Sequence, residues 1–335
     1  MQPLFVPAAL LRCISLATIF LSLALSFTAL VEAASKSPLM DRDFPDPSIL
    51  QDTDGMWYAF ATASGNKNIQ VARAPAPAGP WQYIDQDMLP STGSWTTGRN
   101  TWAPDVRLIA PGRYVMYYSG ELGNNSALHC IGTATSSSVL GPYTPSSTPF
   151  ACPVSQGGAI DPAGFYDSST GRRYVVYKVD GNSIGHGGDC NNGIEPTVPT
   201  PVLLQEVSPS DGVTLLTDSA PVTILDRTAA ADGPLVEAPD LLRAPDGTYV
   251  LFYSNHCWNS PAYSVNYATA NSVTGPYTKS VRPLIGTGDG FNVTAPGGAT
   301  SVSGAGSMVF HANCLQGRCL FHAQFSMNGV TVRVS

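Results

Sequence analysis

Phe44-Pro-Asp-Pro-Ser-Ile-Leu50, Trp102-Ala-Pro-Asp-Val-Arg-Leu108, Ile160-Asp-Pro-Ala-Gly-Phe165 and Val236-Glu-Ala-Pro-Asp-Leu-Leu242 are four versions of one phrase: a proline with a carboxylate at or beside it, then a strand-like apolar run. The shared prolines are Pro47, Pro104, Pro162 and Pro239, so the steps between them are 57, 58 and 77 residues. A unit of that length carrying several strands cannot bury both faces of its sheet alone and must pack on copies of itself.

Two further elements keep the same period. Each proline is followed by an aromatic, β-branched run marked by Tyr58, Tyr114, Tyr174 and Tyr249, at offsets of 11, 10, 12 and 10 residues. An Ala-x-Ala strand leading to Gly-Pro-aromatic then runs from Ala72 to Trp81, Ala134 to Tyr143 and Ala268 to Tyr277. Gly-Pro is turn chemistry that ends a strand. A weaker fifth unit is expected at the end of the chain, with Gly304-Ala-Gly-Ser-Met-Val-Phe310 as its proline strand and Cys319-Leu-Phe-His-Ala-Gln-Phe325 as its aromatic strand. Five units of about 59 residues fill the sequence after its apolar leader. The expectation is an all-β protein, a five-bladed β-propeller of four-stranded antiparallel blades around a central channel. A sandwich or a β-solenoid is the alternative, and the wide period argues against a solenoid coil.

Charged residues make up only 12% of the chain against 43% hydrophobic, which suits one large core and excludes a disordered chain. A net charge of −7 without any Lys/Arg cluster excludes nucleic acid as a partner. Leu10 to Val31 is strongly apolar and ends at Val31-Glu-Ala33, the pattern of a secretory signal peptide cleaved after Ala33. The expected organisation is therefore a signal peptide at 1–33 and a single propeller domain at 34–335, exported and monomeric, without stable membrane association once the leader is removed. An uncleaved membrane anchor is the competing reading of the leader.

Cysteine usage agrees with export. Beyond Cys13 the chain has an even set: Cys130, Cys152, Cys190, Cys257, Cys314 and Cys319. Cys314 with Cys319 across a short turn, and Cys130 with Cys152, are the pairings easiest to defend. Asn124-Asn-Ser126 and Asn292-Val-Thr294 are acceptor tripeptides for N-glycosylation.

In a propeller the first strand of each blade lines the axis, so equivalent positions face one funnel. Asp46, Asp161 and Glu237 lie within one residue of equivalent positions in units one, three and four. Three carboxyls around one cavity cannot all ionise without cost, which is how an acid and a base coexist at one pH. Glycoside hydrolysis needs that pairing: one carboxylic acid for the departing oxygen and one carboxylate opposite it. Any single Asp-Pro is more often a turn starter; the agreement of three repeats is what favours a site.

The segments Asp43-Phe-Pro-Asp-Pro-Ser-Ile49, Thr101-Trp-Ala-Pro-Asp105, Ala159-Ile-Asp-Pro162 and Val236-Glu-Ala-Pro239 resemble the signature segments of glycoside hydrolase family 43, the inverting arabinanases, α-L-arabinofuranosidases and β-xylosidases, in order and over nearly the whole mature chain. The resemblance implies that Asp46 is the general base activating water and Glu237 the general acid. It implies that Asp161 is the third carboxylate, raising the acid's proton affinity and holding it in place. Phe44 and Trp102 resemble aromatics that shape sugar subsites, and Arg333, with Arg318 as alternative, resembles a late arginine approaching the third carboxylate.

One departure from the family pattern concerns metal. Many relatives carry Gly-Pro-Gly-His at the start of blade five, where the histidine helps hold a calcium ion; here the match is Gly304-Ala-Gly-Ser307, so Ser307 replaces the ligand, no cofactor is expected to be required, and a structural calcium is left as the alternative. His311 and His322, placed in strands, are expected to be core or cavity residues, and the loop Gly185–Gly193 an ordinary surface loop. These readings predict a secreted glycosidase acting on arabinose- or xylose-containing polysaccharides, with α-L-arabinofuranosyl linkages favoured. A β-xylosidase and a non-catalytic carbohydrate-binding propeller are the alternatives, and the stretch between Asp180 and Pro201 is a candidate for closing one end of the groove.

Overall fold

The computed structural model describes Met1, residues 37–302 and residues 306–335; apart from Met1, the expected signal peptide lies outside the described residues, as does Cys13. The described residues from 37 onward belong to one compact unit. It is built from five antiparallel four-stranded sheets, each made from strands consecutive in sequence. Blade one contains β1 (Ser48–Gln51), β2 (Trp57–Ala61), β3 (Gln70–Ala74) and β4 (Gln82–Ile84). Blade two contains β5 (Trp102–Ala110), β6 (Arg113–Glu121), β7 (His129–Ser136) and β8 (Thr144–Pro145). Blade three contains β9 (Ala159–Asp167), β10 (Arg172–Val179), β11 (Val202–Val207) and β12 (Val222–Leu225). Blade four contains β13 (Val236–Arg243), β14 (Tyr249–Asn255), β15 (Ser264–Ala270) and β16 (Thr278–Lys279). Blade five contains β17 (Gly297–Val302), β18 (Ser307–Cys314), β19 (Gly317–Asn328) and β20 (Thr331–Val334).

The first strands touch in a closed ring, β1 to β5, β9, β13, β17 and back to β1, so the expected five-bladed propeller is the fold. Closure is hydrogen-bonded: Phe44 N–H donates to the Arg318 carbonyl at 2.8 Å, and the Thr300 hydroxyl to the Pro47 carbonyl at 2.7 Å. Between each pair of neighbouring blades lies one apolar cluster. Strand alternation explains why the aromatic runs read as continuously apolar. In β6, Tyr114, Met116 and Tyr118 face blade one while Val115 and Tyr117 face blade three.

Blade five departs from the expectation by one strand. The first strand is Gly297–Val302, Ser307–Cys314 is the second, and Cys319–Phe325 belongs to the third. The repeated phrase hid it because this strand has neither the proline nor the acid; two glycines stand in their place. The expected Cys130–Cys152 and Cys314–Cys319 bridges are present, and a third joins Cys190 to Cys257.

Candidate active site

Each first strand begins with a residue in the left-handed region: Asp46 (φ 52°), Ala103 (42°), Asp161 (56°), Ala238 (49°) and Gly298 (59°). Four of these residues are not glycine, and the left-handed conformation costs a non-glycine residue of order 1–3 kcal/mol. The strain is held by a repeated hydrogen bond. The backbone N–H of Ala103 donates to Thr62 Oγ1 (2.8 Å), that of Asp161 to Ser119 Oγ (3.0 Å), that of Gly298 to Ser254 Oγ (2.9 Å) and that of Asp46 to His311 Nδ1 (3.0 Å). In every case the acceptor sits at the end of the preceding blade's second strand, opposite the residue just before the left-handed one. The resulting bulge, seen as a register shift in four of the five blades, turns the neighbouring side chains toward the axis.

Asp46, Asp161 and Glu237 thereby line one cavity of about 620 Å³, together with Trp102, Lys178, Tyr263 and Arg318. Asp46 accepts from the Thr62 hydroxyl (2.6 Å) and from Arg318 (3.1 Å). Burial alone would push its carboxyl up, but the Arg318 guanidinium, with the Thr62 hydroxyl, outweighs burial and holds it below the ordinary carboxylate value. It is an ionised carboxylate at neutral pH.

Asp161 is the opposite case. Burial, and then the charge of Glu237, push its carboxyl up to about 8, against the pull of Lys178. Its Oδ2 accepts the Ala238 N–H at 2.9 Å. Glu237 accepts from the Tyr263 hydroxyl (2.8 Å) on Oε1 and from the Lys178 ammonium (3.3 Å) on Oε2. Lys178 is fully buried and also pairs with Asp180 at 3.0 Å. Asp161 therefore keeps its proton to higher pH than an ordinary carboxyl, and the charge of Glu237 in the same cavity is one reason.

The other expected site residues divide. Trp102 lines the cavity and stacks on His129, ring centroids 3.5 Å apart. Phe44 is a correction: it is fully buried in the seam between blades five and one, packed with Trp57 and Leu320, because its backbone is tied to β19 and its ring is carried away from the axis. Arg333 is a second correction. It lies exposed on the outermost strand β20, and Arg318 is the arginine at the site, where it reaches Asp46 rather than Asp161. Sequence reading missed Lys178, Asp180, Tyr263 and Trp258, which carry no repeated signature. The stretch after Asp180 does border the cavity through Asn182, Ser183, Cys190 and Asn191.

The expected calcium position moves as well. The start of blade five is Gly297-Gly298, and Ser307 opens the second strand, where its hydroxyl meets Gln324 and His322. A Cβ on Gly298 would lie 2.7 Å from His311 Nδ1, and one on Gly297 would run into the Tyr263 ring. His311 therefore fills the space from the next strand. Since Nδ1 accepts the Asp46 N–H, the ring proton is on Nε2, which has no hydrogen-bond partner among the described residues. Burial and Arg318 push His311 down to about 3, so the ring is neutral. Calcium takes six to eight oxygen ligands. The axial channel, about 40 Å³, is bordered by prolines, alanines and other small residues and by Asp46, Asp105 and Asp161, of which Asp46 is already paired with Arg318 and Asp105 with Arg107; no group of three His, Cys, Asp or Glu side chains that could hold a metal ion occurs among the described residues. These residues do not fit a calcium site.

Residues 35–333 match the model of the glycosyl hydrolases family 43. The chain is 23% identical over 290 residues to the extracellular endo-alpha-(1->5)-L-arabinanase 2 of Bacillus subtilis, covering 76% of this chain and 54% of that protein. It is 34% identical over 96 residues to a probable arabinan endo-1,5-alpha-L-arabinosidase C of Aspergillus flavus, 28% of this chain and 29% of that one. The chain thus spans about half the length of the first of these relatives and less of the second. Among solved structures, a thermostable family-43 glycoside hydrolase superposes with a TM-score of 0.72 at 24% identity, covering 87% of this chain and 92% of the other. The endo-arabinase of Bacteroides thetaiotaomicron gives 0.68 at 18% identity over 90% of this chain and 100% of its own. With the repeated phrase, the five blades and a family match running almost from end to end of the propeller, the chain belongs to glycosyl hydrolase family 43.

Proposed function

We propose that the protein is a secreted, inverting glycoside hydrolase that cleaves α-L-arabinofuranosyl linkages in plant cell-wall arabinan or arabinoxylan. The observation that carries the reading is the unequal state of three carboxyls in one cavity: Asp46 kept ionised beside Arg318, and Asp161 pushed up to about 8 next to Glu237. Asp46 takes a proton from water as that water attacks the anomeric carbon. Glu237 delivers the proton held on the Asp161–Glu237 pair to the glycosidic oxygen as the bond breaks. A second negative charge beside the first would be repelled, so Asp161 and Glu237 together keep that proton from leaving the pair. Trp102, rigid on its His129 stack, offers an apolar face to a sugar ring.

The arabinan substrate is supported by the relatives, whose names describe endo-arabinanases and arabinan endo-arabinosidases. Export is supported by the apolar leader, by three disulfides, which persist in oxidising compartments, and by the extracellular relative. The deciding experiment compares aryl α-L-arabinofuranoside, aryl β-xyloside and linear arabinan as substrates and follows the first-formed sugar by proton NMR. Turnover of the arabinofuranoside with inverted anomeric configuration is expected. Retention would overturn the single-displacement mechanism, and turnover of the xyloside alone would overturn the substrate.

A further inference from the structure

Five residues occupy the equivalent position at the ends of the second strands: Thr62, Ser119, Lys178, Ser254 and His311. Four accept the N–H of the left-handed residue in the next blade. Lysine has three donors and no acceptor, so it cannot. Two things follow from the exception. The Ala238 N–H is left to Asp161, whose Oδ2 takes it at 2.9 Å and is thereby fixed toward blade four. The side chain at this position, fully buried, instead places its ammonium 3.3 Å from Glu237 Oε2 and 3.0 Å from Asp180 Oδ1.

We propose that Lys178 is a positioning residue for the acid of this site: clamped between Asp180 and Glu237, its ammonium aims the Glu237 carboxyl into the cavity and sets the pH above which the Asp161–Glu237 pair gives up its proton. The inference rests on the glycosidase reading. A fully buried ammonium without a carboxylate partner would be costly to fold; with two, it stays charged over the whole working range, since the pull of Asp180, Glu237 and Asp161 outweighs burial.

The groups facing Glu237 come from every blade packed around it. Lys178, held by Asp180, reaches it from blade three, with Asp161 beside them. The Tyr263 hydroxyl donates from the start of β15, and Arg318 and Asp46 add their charges from blades five and one. His311, stacked on Tyr263, is neutral and adds no charge. Within this set Lys178 is the cation that touches Glu237 directly. Removing it favours the protonated form of the pair, and removing Asp180 favours the ionised form.

The test uses Lys178→Met, Lys178→Arg and Asp180→Asn in the full-length protein, each checked for folding by thermal denaturation. On an aryl α-L-arabinofuranoside, Lys178→Met is expected to move the alkaline limb of kcat/KM upward by roughly 1–2 pH units, the scale set by an opposite charge within ~4–6 Å. Asp180→Asn should move it downward, and Lys178→Arg should keep it near the wild-type position. A wild-type limb in both Lys178→Met and Asp180→Asn, or shifts of the same sign, overturns the proposal. Should Lys178→Met not fold, the Asp180→Asn limb decides alone. Carboxyl carbon-13 NMR of the Glu237 resonance across the same pH range follows the pair without turnover. Should the wild type hydrolyse no glycoside, the glycosidase reading fails, while opposite NMR shifts in the two variants still support the role of Lys178 and coincident ones overturn it.

Discussion

Asp46 and Asp161 stand just before the proline of their blades, Asp105 and Asp240 just after it, and that single step separates chemistry from architecture. The first two hold the strained left-handed residue at the mouth of the first strand and line the cavity. The second two lie one bulge deeper and are 2% exposed. Asp105 pairs with Arg107 at 2.7 Å and accepts the Gly164 N–H of blade three. Asp240 pairs with the same guanidinium at 3.3 Å and accepts both the N–H and the hydroxyl of Ser301 in blade five. One pair sets a charged carboxylate and a protonated carboxyl where a substrate can reach them; the other ties blades together. Pro-Asp and Asp-Pro read alike in composition, yet a residue's place relative to the bulge decides which end of the funnel its carboxyl faces.

The contrast breaks most sharply at Asp46. Asp46→Asn keeps the shape and the Thr62 contact but removes the group that can deprotonate water, so kcat should fall on every substrate toward the upper end of the ~10²–10⁴-fold range for acid–base assistance. Asp105→Asn should lower stability while leaving kcat per folded molecule little changed. Stopped assays on aryl arabinofuranoside and arabinan, normalised to folded protein, would collapse the distinction if both variants lost activity alike.

Glu237→Gln sharpens it within the cavity. An activated aryl leaving group needs little protonation, so the loss should be of order 10²-fold or more on arabinan and much smaller on the aryl glycoside. Equal losses on both substrates would take Glu237 out of the acid role.

On the architectural side the expected effect is on folding. Arg107→Met leaves two buried carboxylates without their cation, which costs about 3 kcal/mol. Urea unfolding should register that loss, with the pH–rate profile unchanged; a profile that moved with it would mean the deeper ring is electrically part of the site.

The smallest effect is a pH signature. Asp161 holds its proton more tightly folded, at about 8, than at its ordinary value of 3.8, so this group withdraws stability as pH rises between those values. Asp161→Asn removes that loss: its Tm should gain on wild type progressively through this window and level off above it. The same change removes the repulsion within the pair, so the alkaline limb of the rate profile should move to lower pH. A variant with wild-type Tm dependence and wild-type limb would reduce Asp161 to a turn starter.

The parts of the fold legible in sequence are those that repeat. Prolines, tyrosines and Gly-Pro turns recur because each blade solves the same packing problem, and the period alone gave four blades in the right register. Blade five was misplaced by one strand because its first strand carries Gly297-Gly298, chosen to admit the Tyr263 and His311 rings, and so lacks the markers. Within the site, the three carboxyls were legible through their repeat positions, and Trp102 through the family resemblance. Lys178 and Tyr263 were not, since each is used once, and Arg318 entered only as the alternative to Arg333. Phe44 and Arg333 were misread because adjacency in sequence, or nearness to the chain end, says nothing about which seam or edge a side chain enters.

Sequence by itself determined the number of blades, the antiparallel four-stranded unit and the presence of paired acids at the start of several strands, because period and strand alternation are local properties of the chain. Only the tertiary structure decided which of those acids is held charged, which keeps its proton and which merely join blades. Those states depend on burial and on partners brought from other blades: Arg318 to Asp46 across 272 residues, and Lys178 to Glu237 across 59. Electrostatic interaction falls with distance in space and rises with exclusion of water, and neither quantity is written along the chain.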